Sequence, residues 1–167
     1  TEREHSASTN EYAYLRKINA LTGELIWRLP VHVYTSVDNE GGSFATPALG
    51  KGDLGDLIYA HMTRTPDDGA TLLAISKESG EVVWQAAMGS GGWSSPVCVY
   101  DENGKGYVLI GSSSGALRLY DGRTGNIISI LDLEGNIEGS PAVFNDMLVV
   151  GTRSKRIFGV RIKGGEA

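Results

Sequence analysis

The chain has 167 residues with one cysteine, three histidines and five prolines, and each scarcity removes a class of explanation. Cys98 has no partner for an internal disulfide, and its place in the apolar run "SPVCVY" predicts a buried, inert thiol. His5, His32 and His61 have no second His or Cys at metal-ligand spacing, so no metal site is expected. Basic charge is not in excess: 15 Lys and Arg face 20 Asp and Glu, a net charge of -5, with the two signs interleaved. A phosphate-backbone partner would need a concentrated basic face, so nucleic acid is excluded. No apolar run is long enough to cross a bilayer, and the opening "TEREHSASTNE" lacks the apolar core of a signal peptide.

What the chain has is glycine, 23 residues of it, set among short Val-, Ile- and Leu-rich runs separated by Gly, Asn, Asp and Ser. Short β-branched runs between turn residues predict many strands and an all-β fold. A phrase recurs: "LTGELIW" (21–27), "ESGEVVW" (78–84) and "RTGNIIS" (123–129), each followed by a Thr-Pro or Ser-Pro step. Its glycines, Gly23, Gly80 and Gly125, are 57 (23 to 80) and 45 (80 to 125) residues apart. The prolines Pro47, Pro96 and Pro141 are 49 (47 to 96) and 45 (96 to 141) apart. Two markers agreeing on one period identify a stacked repeat, with the longer gaps as loop insertions.

Each unit reads as an antiparallel meander of four strands, A to D. The clearest has A at 94–100, B at 106–111, C at 116–120 and D at 126–133, with Asn103-Gly104 as a hairpin signal. The preceding unit has A at 45–49, B at 56–61, C at 71–76 and D at 81–87, and the last has A at 140–144, B at 147–152 and C at 156–163. The chain thus divides into a polar tail at 1–11, a partial unit of strands C and D at 12–30, units at 44–87 and 94–133, and a last unit at 139–163 without strand D.

The phrases "LLAISKESGEVVW" (72–84) and "LRKINALTGELIW" (15–27) resemble the tryptophan-docking repeat of the pyrroloquinoline-quinone-like propeller family, Ala-x-Asp-x-x-Thr-Gly-x-x-x-Trp. Ala74, Ser79, Gly80 and Trp84 follow that pattern, Asn19 and Ser76 replace its Asp, and the third copy keeps Asp121, Thr124 and Gly125 but has Ser129 for Trp. The resemblance spans nearly the whole chain and implies a β-propeller of four-stranded blades, here a partial ring of about three to four. Gly23, Gly80 and Gly125 would take positive φ in the C-to-D turns, and Trp27 and Trp84 would dock one blade on the next. A wet blade face is the usual failure of uncapped repeats, so the remaining blades are expected on another chain or segment. Two copies closing one ring is a less favoured arrangement.

Three motifs are outweighed by their context. "GKGDLG" (50–55) has dinucleotide-binding glycines, but a strand follows it instead of a helix N-terminus. "GSSSG" (111–115) has the nucleophile-elbow pattern around Ser113, yet it joins two strands and no His is expected nearby. "DENGKG" (101–106) is similar to the calcium turn of related propellers but puts Lys105 at a ligand position.

In a meander the B-to-C loops and D-to-A connections share one end, and this end carries the longer insertions: 32–44, 63–69, 89–94, 112–114, 136–138 and 153–156. Loops on a rigid scaffold concentrate binding residues. Phe44, Trp93 and Glu138, each three residues before a proline, are expected at the channel mouth. Trp93 lies outside the docking phrase, and recognition and local packing are equally served by it. Arg153, Lys155 and Arg156 are candidates for an anion or partner patch.

The expected function is a noncatalytic propeller scaffold that recognises a protein, peptide or glycan through this face, similar in kind to the outer-membrane assembly scaffold of the family. No catalytic residue is assigned. The alternative is a fragment of a quinone-dependent dehydrogenase, with pyrroloquinoline quinone, calcium and catalytic residues on missing blades. The same resemblance implies a bacterial, extracytoplasmic protein.

Overall fold

A computed structural model describes residues 2–3, 10–34, 41–66 and 69–163. His5 and the parts of the expected loops at 35–40 and 67–68 lie outside the described residues. Among the described residues fourteen strands form four antiparallel sheets: β1 (Glu2–Arg3), β2 (Asn10–Ile18) and β3 (Leu25–Tyr34) make the first. The second holds β4 (Ala48–Leu49), β5 (Leu57–Thr63), β6 (Ala70–Ser76) and β7 (Val82–Ala87). The third holds β8 (Val97–Tyr100), β9 (Gly106–Gly111), β10 (Ala116–Asp121) and β11 (Ile127–Asp132). The fourth holds β12 (Ala142–Phe144), β13 (Met147–Thr152) and β14 (Arg156–Arg161). In every sheet neighbours in sequence are neighbours in space, and the sheets are successive blades of a partial propeller ring of about three to four blades.

Side chains of the inner strands alternate between two interfaces, as the two-residue strand period requires. In β5, Leu57 and Tyr59 enter the core between the second and third blades, while Ile58, Ala60 and Met62 enter the core toward the first. In β9 and β10, Val108, Ile110 and Tyr120 pack back on the second blade, and Leu109 and Leu117 pack forward on Leu148 and Val150 of the fourth. Each blade is therefore apolar on both faces, and its stability depends on its neighbours.

The sequence misplaces several boundaries. Within the expected tail, β1 pairs with β2, Glu2 opposite Tyr14 and Arg3 opposite Ala13, so the first blade has three strands among the described residues. β3 continues past Pro30 to Tyr34, because on an edge strand the missing proline N–H faces away from the ladder. The A strands are shorter than expected, starting after Pro47, Pro96 and Pro141, since the residue before each proline bonds sideways to a neighbouring blade. Thr46 N–H donates to Ser95 Oγ at 3.0 Å, and Ser95 N–H donates to Ser140 Oγ at 3.0 Å.

"GKGDLG" forms the one helical turn among the described residues, a single 3-10 turn at Gly52–Leu54. Leu54 is fully buried against Gly106 and Gly122, where added Cβ atoms would lie 2.3 and 2.6 Å from its side chain. Asp53 Oδ2 accepts from Gly106 N–H at 3.0 Å, and Arg123 bonds the Asp53 carbonyl and pairs with Asp56 at 2.8 Å. The segment clamps one blade to the next at the turn end. Among the described residues no helix is long and apolar enough to cross a membrane.

Candidate functional site

The loop end is held by backbone bonds between successive connections. Thr63 and Gly42 exchange N–H···O bonds of 2.8 and 3.2 Å, Ser113 N–H reaches Gly91 O at 3.0 Å, Ile137 N–H reaches Ser112 O at 3.1 Å, and Arg153 N–H reaches Asn136 O at 2.9 Å. Each D-to-A connection is thus tied to a B-to-C loop, which fixes the surface between them. On this surface Phe44 and Trp93 stand with ring centroids 6.3 Å apart and planes tilted by 44°, an aromatic contact across two blades. They remain 47% and 51% exposed, so their packing on each other leaves a broad apolar area facing water.

Glu138 lies elsewhere in the interaction network. Its Oε1 accepts from Arg153 at 3.0 Å and from Asn136 Nδ2 at 3.2 Å. Arg156 opens β14 and pairs with Glu134 at 3.3 Å, while Lys155 occupies the left-handed region at φ 65. Arg153 and Arg156 are therefore each answered by a carboxylate, and such exposed pairs are worth less than about 1 kcal/mol.

Among the buried polar residues beneath this surface is His61, only 1% exposed, and the sequence offered no sign of its burial beyond a polar residue in an apolar strand. Its Nδ1 lies 3.3 Å from Ser94 O, its Nε2 has no hydrogen-bond partner, and burial pushes its pKa down. Gly92 separates it from the 111–115 loop: a Cβ there would meet His61 Cε1 at 3.7 Å and Ser113 N at 3.4 Å. His61 is thus closer to "GSSSG" than its sequence position suggested, but the loop joins two strands instead of a strand and a helix, and its Ser112 Oγ is engaged by Ser114 and Arg118. Cys98 is half-buried rather than buried, and burial raises its thiol pKa to about 11, leaving it a poor nucleophile.

At the opposite end, Asp101 Oδ1 accepts the N–H groups of Asn103 and Lys105 at 2.9 Å each, its Oδ2 accepts from Tyr107 OH at 3.2 Å, and Lys105 pairs with Asp121 at 2.9 Å. The oxygens that a calcium turn would aim at an ion are committed to the turn itself. Among the described residues no group of three or more His, Cys, Asp or Glu is placed to hold a metal ion.

Trp27 Nε1–H donates to Lys77 O at 3.1 Å and Trp84 Nε1–H to Gly122 O at 2.9 Å, each indole lying across the C-to-D turn of the next blade. Cβ atoms on Gly80 and Gly125 would fall 2.6 and 2.7 Å from the Cδ2 atoms of Trp27 and Trp84. Gly23, with φ 76, has open space above it.

The family model described as outer membrane protein assembly factor BamB matches residues 2–128 and 68–167. Among solved structures, the chain is similar to BamB from Moraxella catarrhalis, with 24% identity and a TM-score of 0.61 over 93% of this chain and 41% of that one. It is also similar to the computationally designed Ika4 protein, at 13% identity and a TM-score of 0.59 over 95% of this chain and 88% of that one. A curated relative, the beta-alanine-activating enzyme of Homo sapiens, is 25% identical over 88 residues, 52% of this chain and 8% of that protein. The chain thus spans less than half of the Moraxella protein and a small part of the human one.

Proposed function

The chain belongs to the outer membrane protein assembly factor BamB family, and from that premise we propose that it is a noncatalytic propeller module that binds a protein or peptide through its loop end. The observation that carries the reading is the Phe44–Trp93 pair: two half-exposed aromatic rings on connections fixed by backbone bonds, on two different blades. Exposed aromatics on a preorganised surface are the usual anchors of protein recognition, because little conformational entropy remains to be lost on binding. Glu138, Arg153 and Arg156 form a charged rim beyond them, suited to register rather than affinity.

The reading extends to partners and place. Phe144 and Ile157, each 80% exposed, and Val149 line the outward face of the fourth blade, which suits the docking of further blades of the same propeller. An extracytoplasmic location follows from the family's association with outer-membrane assembly.

The test is photo-crosslinking from position 93 in the full chain, with a control crosslinker at Val83 on the outer strand of the second blade. A protein partner captured from 93 and not from 83 is the expected outcome, and Trp93→Ala should weaken its binding about 30-fold, equivalent to about 2 kcal/mol for an anchor residue. Equal capture from both positions would sink the proposal.

A further inference from the structure

At the turn end, between the third and fourth blades, lies a cleft of ≈ 550 Å³ lined by Tyr107, Leu119, Ile128, Asn145 and Ile162 among others. That volume falls in the range of roughly 300–1,000 Å³ typical of ligand sites. Beside the cleft, across the ladder from the lining residue Leu119, the repeat is broken at one position. Strand pairing puts Ser129 opposite Leu119, as Trp84 is opposite Ala74 and Trp27 opposite Lys17, so Ser129 stands where the two earlier blades carry an indole.

Part of the receiving side of the seat is present among the described residues. In the two filled seats, Lys77 N–H donates to Asp56 O at 2.8 Å and Gly122 N–H donates to Gly106 O at 3.0 Å, and the carbonyls of Lys77 and Gly122 accept the indole N–H. In the fourth blade Ile162 N–H donates to Asp146 O at 2.7 Å, which puts the Ile162 carbonyl in the corresponding place. The same backbone device therefore recurs three times, with an indole supplied twice.

We infer that this cleft is a seat for an aromatic side chain supplied in trans, a tryptophan on a partner polypeptide flanked by basic residues. Leu119, Ile128 and Ile162 supply apolar walls and Tyr107 an aromatic one, against which an indole buries its faces. Asp101, Glu102, Asp146 and Lys163 line the same cleft, and with Asp146 paired to Arg161 at 3.4 Å the acidic Asp101 and Glu102 leave it a net negative charge that favours a basic flank. The site lies at the end opposite Phe44 and Trp93 and stands or falls independently of them.

The experiment titrates N-acetyl-tryptophanamide and the tripeptide Lys-Trp-Lys into the full chain labelled with nitrogen-15. Saturable amide shifts are expected at Leu119, Ile128, Asn145 and Ile162, with tighter binding of the tripeptide. Ser129→Trp fills the seat from within and should abolish these shifts. Should that variant misfold, Ile128→Arg, at a position already 53% exposed, places a guanidinium in the cleft and should abolish them with the fold intact. Absence of saturable shifts in the unaltered chain, or their survival in both variants, would overturn the inference.

Discussion

His61 and Ile137 solve the same packing problem in opposite ways. Ladder pairing makes His61 and Gly111 equivalent positions of strand B, and Gly92 and Ile137 are each four residues before the proline of a following blade. Between the second and third blades the large residue is on the strand and the glycine on the connection, whereas between the third and fourth the order is reversed. A Cβ on Gly111 would lie 2.3 Å from Ile137 Cγ2, so Gly111→Ala should cost about 1–3 kcal/mol by overpacking, measured as a lower urea midpoint. The histidine solution adds a pH dependence. Burial lowers the folded pKa of His61, so its neutral form is favoured in the fold, and the stability this gives is complete above about pH 6.5. It is lost as pH falls from there through the depressed folded value, because the unfolded chain takes up the proton first. Asp56 lies below the usual carboxylate value through its Arg123 bond. Asp121 lies below it although burial opposes this, since Lys105 and Thr124 outweigh the burial. Both carboxylates therefore act in a lower window. A urea midpoint that falls between pH 7 and 5, and a flatter profile in His61→Gln, is the expected result.

Among the strands, those flanked by unambiguous turns were readable: β9 and β13 begin and end where spacing places them. The A strands were not, because Thr46, Ser95 and Ser140 look like strand residues in sequence but hold side-chain partners one blade away, which a pattern within one segment cannot reveal. The candidate site was legible to a similar depth. Repeat register brought Phe44 and Trp93 to the same surface, but it grouped Glu138 with them, while the arginine that engages Glu138 is 15 residues later. Replacement of Trp by Ser129 was visible in the sequence, whereas the cleft beside it depends on Ile162 and Asn145 of the next blade. The docking elements themselves should be costly to remove. Trp84→Ala loses contacts with Tyr59 and Tyr120 as well as the bond to Gly122, and a destabilisation of about 3 kcal/mol is expected from chemical denaturation. Ser129→Ala, by the same measurement, should be nearly neutral.

The whole molecule presents two unlike ends to the ring. On the first blade Arg16 and Arg28 cover the buried Tyr14, their guanidinium carbons 5.4 and 4.5 Å from its ring centroid, with Tyr12 and Ile18 about half exposed. The fourth shows the apolar Phe144, Val149 and Ile157, with Arg161 at the far end of the same strand face and paired to Asp146. Large exposed apolar patches promote association, so Phe144→Lys with Ile157→Lys should reduce concentration-dependent self-association in sedimentation without altering the circular dichroism spectrum.

The hydroxyl relay from Thr46 to Ser95 to Ser140 gives this asymmetry a consequence for how such chains lengthen. Ser95 is at once an acceptor through its hydroxyl and a donor through its amide, so a copied unit carries both halves of the joint and can attach to its own parent. Tandem gene duplication would then add a blade with this bond already in place and no compensating substitution required. A head-to-tail joint of this kind sets no length of its own; the count ends where the accumulated rotation brings the last blade back to the first.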